Sequence, residues 1–395
     1  MTDTLMCPGF TAAGMASGLK KNGKKDLGLL FSQIPTNVAG LFTQNRVQAA
    51  PVILGRERIK SGLCQAIIVN SGNANCCTGD QGMDHAMAMA KFAATGLGIA
   101  EDLVLPASTG VIGQPLAIDK VEKAVPDLVK ALTSEGISDL ANAIMTTDTL
   151  PKMTSRQGVM DGKTFTVTGV AKGSGMIRPD MATMLCFVFT DIGASPELLK
   201  DTLYVATEKS FNRITVDGDT STNDTVLIMA NGLSGAFIDS PGQKEYFQNI
   251  LDDVLVDLAK QIVKDGEGAT KLVEIIVKGA RTDKDAQKIA GTVADSNLVK
   301  TALFGEDANW GRILAAAGRA QVPLDPNTTD IFFNDVLMVK NGMSCGDAAE
   351  KEATKILKKS EFVITIDLNM DNGSASMFTC DFSIDYVKIN ADYRS

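Results

Sequence analysis

Short apolar runs broken by turns fill residues 28–75, as in "GLLFSQ", "AGLFT" and "AIIVNSG", and their length and spacing predict strands. The period then lengthens. Residues 80–97 read as a helix opened by Asp80, with Met83, Met87, Ala90 and Leu97 along one side, and over 117–132 Ile118, Val121, Val125 and Leu128 share a face. The run "TMLCFVFT" at 183–190 is apolar almost throughout, the pattern of a strand buried on both faces. Helical spacing returns at 195–210 and at 243–264, where Phe247, Ile250, Leu251, Val254 and Leu258 line up. Beyond about 280 a helix gives way to strand pairs around "DIFFNDVLMV" and "EFVITIDLN". The organisation is mixed α/β. Seams are expected at the 239–244 turn, with Pro241 and Gly242, and at "KGARTDKDA". They divide the chain into a core over 1–240, a connecting helix-strand unit over 241–280 and a smaller C-terminal α/β unit over 281–395.

The chemistry concentrates in "KGSGMIRPDMATMLCFVFTD", Lys172 to Asp191, where a glycine-rich loop runs into the apolar strand. A hydroxyl is a weak nucleophile at neutral pH and needs a base. The chain has one histidine, His85, and it lies in the predicted 80–97 helix, where it reads as an ordinary helix residue. The other route is to cut the chain before the hydroxyl, because a freed α-amino group titrates at about 7.7–8.0 and lies beside its own side chain. Thr183, preceded by the small Ala182, suits that route. Gly173 and Gly175 supply backbone freedom and Pro179 fixes a further turn. By spacing alone the reading of a loop followed by a core strand stays ahead.

Other candidates lead to less. Asp217, Asp219 and Asp224 imitate a calcium loop, but no glutamate closes it, so the segment reads as a polar turn that also holds Asn223. The Gly173–Gly175 pair lacks the third glycine and the following helix of a dinucleotide cradle. Trp310, the one tryptophan, reads as a packing anchor.

A net charge of −9 disfavours nucleic acid as a partner. Neither a leader nor a membrane-length apolar run is apparent, which predicts a cytoplasmic protein. The seven cysteines show no C-x-x-C spacing, so no metal site or disulfide framework is expected. Cys76 and Cys77 stand side by side after "NSGNAN", in a loop expected near the site.

A series of blocks then carries a resemblance: "GLFTQNRVQAAPV", "IVNSGNANCCTG", "LPASTGVIGQ", "IMTTDTLPK", "NRITVDGDTSTNDT", "GEGATKLVEI", "GEDANWGRILAAAGRA" and the terminal "YVKINADYRS". In this order, around the Lys172–Asp191 segment, they resemble the ornithine acetyltransferase family, also called glutamate N-acetyltransferase. The resemblance implies a layered α/β sandwich of the self-cleaving type. It implies cleavage between Ala182 and Thr183 into chains 1–182 and 183–395. Thr183 would first attack the Ala182 carbonyl and later the acetyl donor, with its own α-amino group as base. Thr109 and Gly110 match the oxyanion pair. Lys172 would meet a carboxylate and Glu267 an ammonium, while Thr146, Asn390 and Ser395 match the remaining polar substrate contacts. The implied substrates are N2-acetylornithine, glutamate and, in some members, acetyl-CoA, handled by double displacement with no cofactor or metal. The implied assembly is a dimer of αβ units. Ahead of Met181 the chain has Arg178, Pro179 and Asp180, where the family often has His-Pro-Asn. Two alternatives remain: an aminopeptidase or amidase of the same architecture, and a non-enzymatic binder of acylated amino acids.

Overall fold

The structure, a computed structural model, describes residues 6–178 and 184–392. Pro179, Asp180, the Ala182–Thr183 pair and Ser395 therefore lie outside the described residues. Contacts divide the chain into two units, Met1–Asn212 with Asp219–Ile262, and Arg213–Gly218 with Val263–Ser395.

The strands of the first unit are β1 (Phe10–Met15), β2 (Leu27–Phe42), β3 (Leu63–Asn70), β4 (Val104–Ser108), β5 (Lys152–Met160), β6 (Lys163–Lys172), β7 (Leu185–Thr190) and β8 (Thr225–Ala230). They form one sheet in the order β4-β3-β2-β8-β7-β6-β5, with β1 also on β2. The expected strands "GLLFSQ" and "AGLFT" both belong to β2. Its first half pairs with β1 and β3 and its second with β8, across an irregularity between Phe31 and Thr36. Pro35 sits in that break, where its missing N–H interrupts the ladder.

The helices of this unit are α1 (Ala50–Arg58), α2 (Gly79–Leu97), α3 (Ile118–Lys130), α4 (Ile137–Ile144), α5 (Pro196–Lys209) and α6 (Pro241–Lys264), the last of which runs into the second unit. Alternation along β3 serves two cores. Ala66 and Ile68 pack with Met89 and Ala93 of α2 and Val121, Val125 and Leu128 of α3. Ile67 and Val69 instead join Phe187 and Phe189 of β7, Leu227 of β8 and Leu140 of α4. Both halves of the sheet thus contribute to one core, and β3 is apolar throughout because both its faces are covered. Burying each such side chain contributes about 1.5–3 kcal/mol. On β6, a Cβ at Gly169 would stand 2.7 Å from Leu258, so the missing side chain lets α6 lie close.

The faces expected for α3 and α6 are the buried ones. For α2 the buried face is different: Gly82, Ala86, Met89, Ala90, Ala93 and Ala94 point inward, whereas Met87 is exposed. Small residues let the helix approach its neighbours, and Met87 falls to the rim while Met89 packs inward. The helix also opens at Gly79, with Asp80 inside its first turn.

The second unit has strands β9 (Leu272–Ala280), β10 (Asp330–Phe333), β11 (Val336–Lys340), β12 (Met343–Ser344), β13 (Glu361–Asp367) and β14 (Gly373–Cys380). They form a sheet in the order β12-β11-β10-β13-β9-β14. Its helices are α7 (Asp283–Ala294), α8 (Asn297–Phe304), α9 (Trp310–Gly318), α10 (Asp347–Leu357) and α11 (Ile384–Ala391). Ile289 and Val293 of α7 pack on Val273, Ile275 and Val277 of β9, and Trp310 lies against this core as expected. Among the described residues no helix is long and apolar enough to cross a membrane, and no group of three or more ligands could hold a metal ion.

Candidate active site

Strand ends gather the candidate residues of the first unit. Register places Lys172, the end of β6, opposite Leu185, the start of β7, and Leu185 beside Thr225, the start of β8. The segment holding the expected cleavage pair is therefore anchored on both sides at this edge. β4 ends at Ser108, and the two halves of the sheet are laced together here by Asn223, whose Nδ2 donates to the carbonyls of Ala74 at 2.6 Å and Ser108 at 2.7 Å.

Directly after Ser108 come Thr109 and Gly110. The Thr109 N–H donates to the Asn70 carbonyl at 2.9 Å, and its hydroxyl accepts from Lys172 Nζ at 3.4 Å. A hydroxyl that accepts from a cation has its own proton free to donate. Gly110 sits at φ +135°, and a Cβ there would stand 2.7 Å from the Asn73 nitrogen, so glycine is required by conformation and by space. Nothing among the described residues accepts from the Gly110 N–H. The structure thus brings Thr109, Gly110 and Lys172 together.

Beneath Lys172 lies a buried carboxylate, Asp148. It accepts from Lys152 Nζ at 2.7 Å, the Gly173 N–H at 2.7 Å and the Thr146 N–H at 2.9 Å. Burial alone would raise its pKa, but the charges of Lys172 and Lys152 and these donors outweigh that and hold the carboxyl well below its usual range. Thr146 is fixed by the same carboxylate, which places it with the Lys172 group.

Asp148→Asn is expected to cost about 3–5 kcal/mol, because Lys152, whose side chain is 2% exposed, loses its counter-charge. The depressed pKa sets the pH dependence. The stabilisation is complete above the unfolded carboxylate pKa of about 3.9 and is lost as pH falls through the folded value. Melting temperatures of the parent and the variant should differ most at neutral pH and converge in acid; a constant gap would sink this account.

Asp224, just before β8, behaves in the opposite way. Burial pushes its pKa well up, against the pull of Ser221 and Lys172, and its Oδ2 has no hydrogen-bond partner among the described residues. Burial at this strand edge thus favours the protonated form of Asp224, the reverse of Asp148.

In the second unit Asn390 Nδ2 donates to Glu267 Oε2 at 2.7 Å. The approach depends on Gly268, at φ +67°, where a Cβ would stand 2.6 Å from the Tyr386 nitrogen. The Ser383 hydroxyl, at the start of α11, adds a 2.6 Å bond to the Gly268 carbonyl. Glu267 and Asn390, far apart in sequence, are thus paired; Ser395 lies outside the described residues. Residues 11–395 match the model of the ArgJ family.

The chain belongs to the ArgJ family. Among ArgJ proteins, the arginine biosynthesis bifunctional protein of Syntrophotalea carbinolica is 51% identical over 98% of this chain and 99% of its own. That of Geobacter sulfurreducens is 50% identical over the same shares. A crystal structure of the ArgJ protein of Bacillus halodurans is 43% identical with a TM-score of 0.51, and covers 53% of this chain and 99% of that one.

Several residues of this ArgJ edge escaped the sequence reading. Asp148 and Lys152 lie inside the "IMTTDTLPK" block, where a carboxylate and a lysine four apart look like solvated loop charges; the structure buries both. The one available signal was their spacing. Asp224 was grouped with Asp217 and Asp219, but of the three it alone is buried. His85 stays a helix residue, half-buried on α2.

Proposed function

We infer that this chain is an acetyltransferase of arginine biosynthesis, moving the acetyl group of N2-acetylornithine to glutamate. The observation that carries the reading is the convergence of Thr109, Gly110 and Lys172 at one strand edge of a chain that matches ArgJ proteins along nearly its whole length. Thr183 Oγ attacks the acetyl carbonyl while the Thr183 α-amino group takes the hydroxyl proton. Thr109 and Gly110 donate to the oxygen that becomes negative. The amide C–N bond then breaks, the proton passes to the departing nitrogen, and ornithine leaves an acetyl ester on Thr183. Glutamate reverses the sequence: its amine attacks the ester, the C–O bond breaks and N-acetylglutamate departs. Acetyl-CoA enters as a second donor through the same ester.

Lys172 suits a substrate carboxylate, and Thr146 is positioned beside it by Asp148. Glu267, oriented by Asn390, suits an amino-acid ammonium, and Ser395 is proposed as a further polar contact to the substrate. The maturation step is supported by length. The solved Bacillus halodurans chain is matched almost completely yet covers just over half of this one, as a 183–395 product would. The mature unit is proposed to pair as a dimer of αβ units in the cytoplasm.

Intact mass under denaturing conditions tests the cut. Two species corresponding to 1–182 and 183–395 are expected. A single full-length mass, from protein that still transfers acetyl groups, would reject the self-made nucleophile. Glutamate-dependent loss of N2-acetylornithine distinguishes the transferase from an amidase, which would hydrolyse the donor at the same rate without glutamate.

A further inference from the structure

Two neighbouring thiols lie behind the oxyanion arm, and the reaction uses neither. Cys77 is exposed and Cys76 is buried, with their sulfurs 3.8 Å apart. Soft centres bound by thiolates at about 2.3 Å with near-tetrahedral angles span about 3.5–3.8 Å between two sulfurs. The pair is therefore already at bite distance. Cys77 holds this position through φ +58°, a conformation rare for a side chain larger than glycine.

No third ligand completes a metal site among the described residues. A centre satisfied by two protein sulfurs is therefore required. We propose that Cys76 and Cys77 form a vicinal dithiol site for monosubstituted trivalent arsenicals, and that occupying it disables the oxyanion arm. The hydrated arsenical carries two hydroxyls. Cys77 displaces the first, forming an As–S bond and releasing water with the thiol proton. Cys76 then displaces the second in the same way, closing the chelate with no change of oxidation state. Soft thiolate ligands favour such a centre over hard oxygen donors.

Coupling to the site runs through contacts. Asn223, whose Oδ1 accepts from the Thr222 hydroxyl at 2.6 Å, donates to the carbonyl of Ala74, two residues before Cys76, at 2.6 Å. Asn223 in turn holds the Ser108 carbonyl, next to Thr109. On the same loop the Cys76 carbonyl accepts from the Gly113 N–H at 3.0 Å, the Ala74 N–H donates to Val111 at 3.0 Å, and Asn73 bridges Thr109 and Val111. A ring closed on Cys76 and Cys77 strains this loop and pulls on the backbone contacts that seat Gly110.

The proposal rests on the acetyl-transfer reading for its activity readout and stands independently of it for binding. The probe is phenylarsine oxide at one equivalent to the mature protein. One adduct should appear in the peptide containing both cysteines, and acetyl transfer should fall by about 10²-fold, as for loss of an oxyanion donor. A dithiol should restore it and the same concentration of a monothiol should not, because the second sulfur binds intramolecularly. Cys76→Ala should keep activity within about twofold and lose the dithiol-reversible inactivation. An adduct elsewhere, equal inactivation of Cys76→Ala, or an adduct with full activity would overturn the proposal. Absence of transfer in the untreated protein would instead count against the acetyl-transfer reading and leave the adduct result to decide the binding site.

Discussion

Thr183→Ala is expected to leave one uncut chain of 395 residues and to lower acetyl transfer by about four orders of magnitude or more. One hydroxyl serves two successive attacks, so its removal blocks the second by preventing the first: without a cut at residue 183 there is no free α-amino group to act as base. Thr183→Ser separates this account from a structural one. It keeps the hydroxyl and the backbone, so it should still be cut and still transfer, at a reduced rate. Intact mass and transfer rate should move together across the two variants. If Thr183→Ala is cut normally, another residue makes the nucleophile, and if it is uncut but fully active, the acyl-enzyme reading fails.

How far the sequence leads depends on whether the signal is local. Helices α3 and α6 are legible because one face of each is apolar and Val121, Val125, Leu128, Phe247 and Leu258 simply fill it. β2 reads as two strands because Pro35 breaks the pattern, and only the pairing of its two halves with different neighbours shows the chain continuing. On α2 hydrophobicity misleads in part, since the buried face is mostly alanine and glycine and takes Met89 where Met87 was expected. Candidate site residues become visible in the sequence through the family resemblance. Their grouping comes from contacts between distant segments. Asn223 reaches Ser108 and Ala74 from the other half of the sheet, a consequence of folding that no spacing encodes. Asp148 shows the same limit: its charge is visible in the sequence, but its burial between two lysines is not.

The oxyanion pair yields the second large effect. Thr109→Val preserves shape and removes the hydroxyl, and is expected to lower kcat by about 10²–10³ with KM little changed, because the lost bond is made mainly in the transition state. The same change deprives Lys172 Nζ of the oxygen it reaches at 3.4 Å. Thr109→Ser restores that acceptor together with the donated proton, so it should recover most of the rate; a Lys172-mediated loss of substrate binding would instead raise KM in Thr109→Val with kcat little changed. Gly110→Ala should act through the backbone. At φ +135°, with its Cβ 2.7 Å from the Asn73 nitrogen, alanine forces the loop to move, and both melting temperature and kcat should fall. Fragment masses extend the same variants to maturation, whose oxyanion forms on the Ala182 carbonyl. Slow cutting in Thr109→Val would mean that one pair of donors serves both attacks by Thr183, whereas normal cutting with slow transfer would confine the pair to the acetyl group. An unchanged kcat in Thr109→Val would remove the hydroxyl from the mechanism and leave the Gly110 N–H as the one proposed donor.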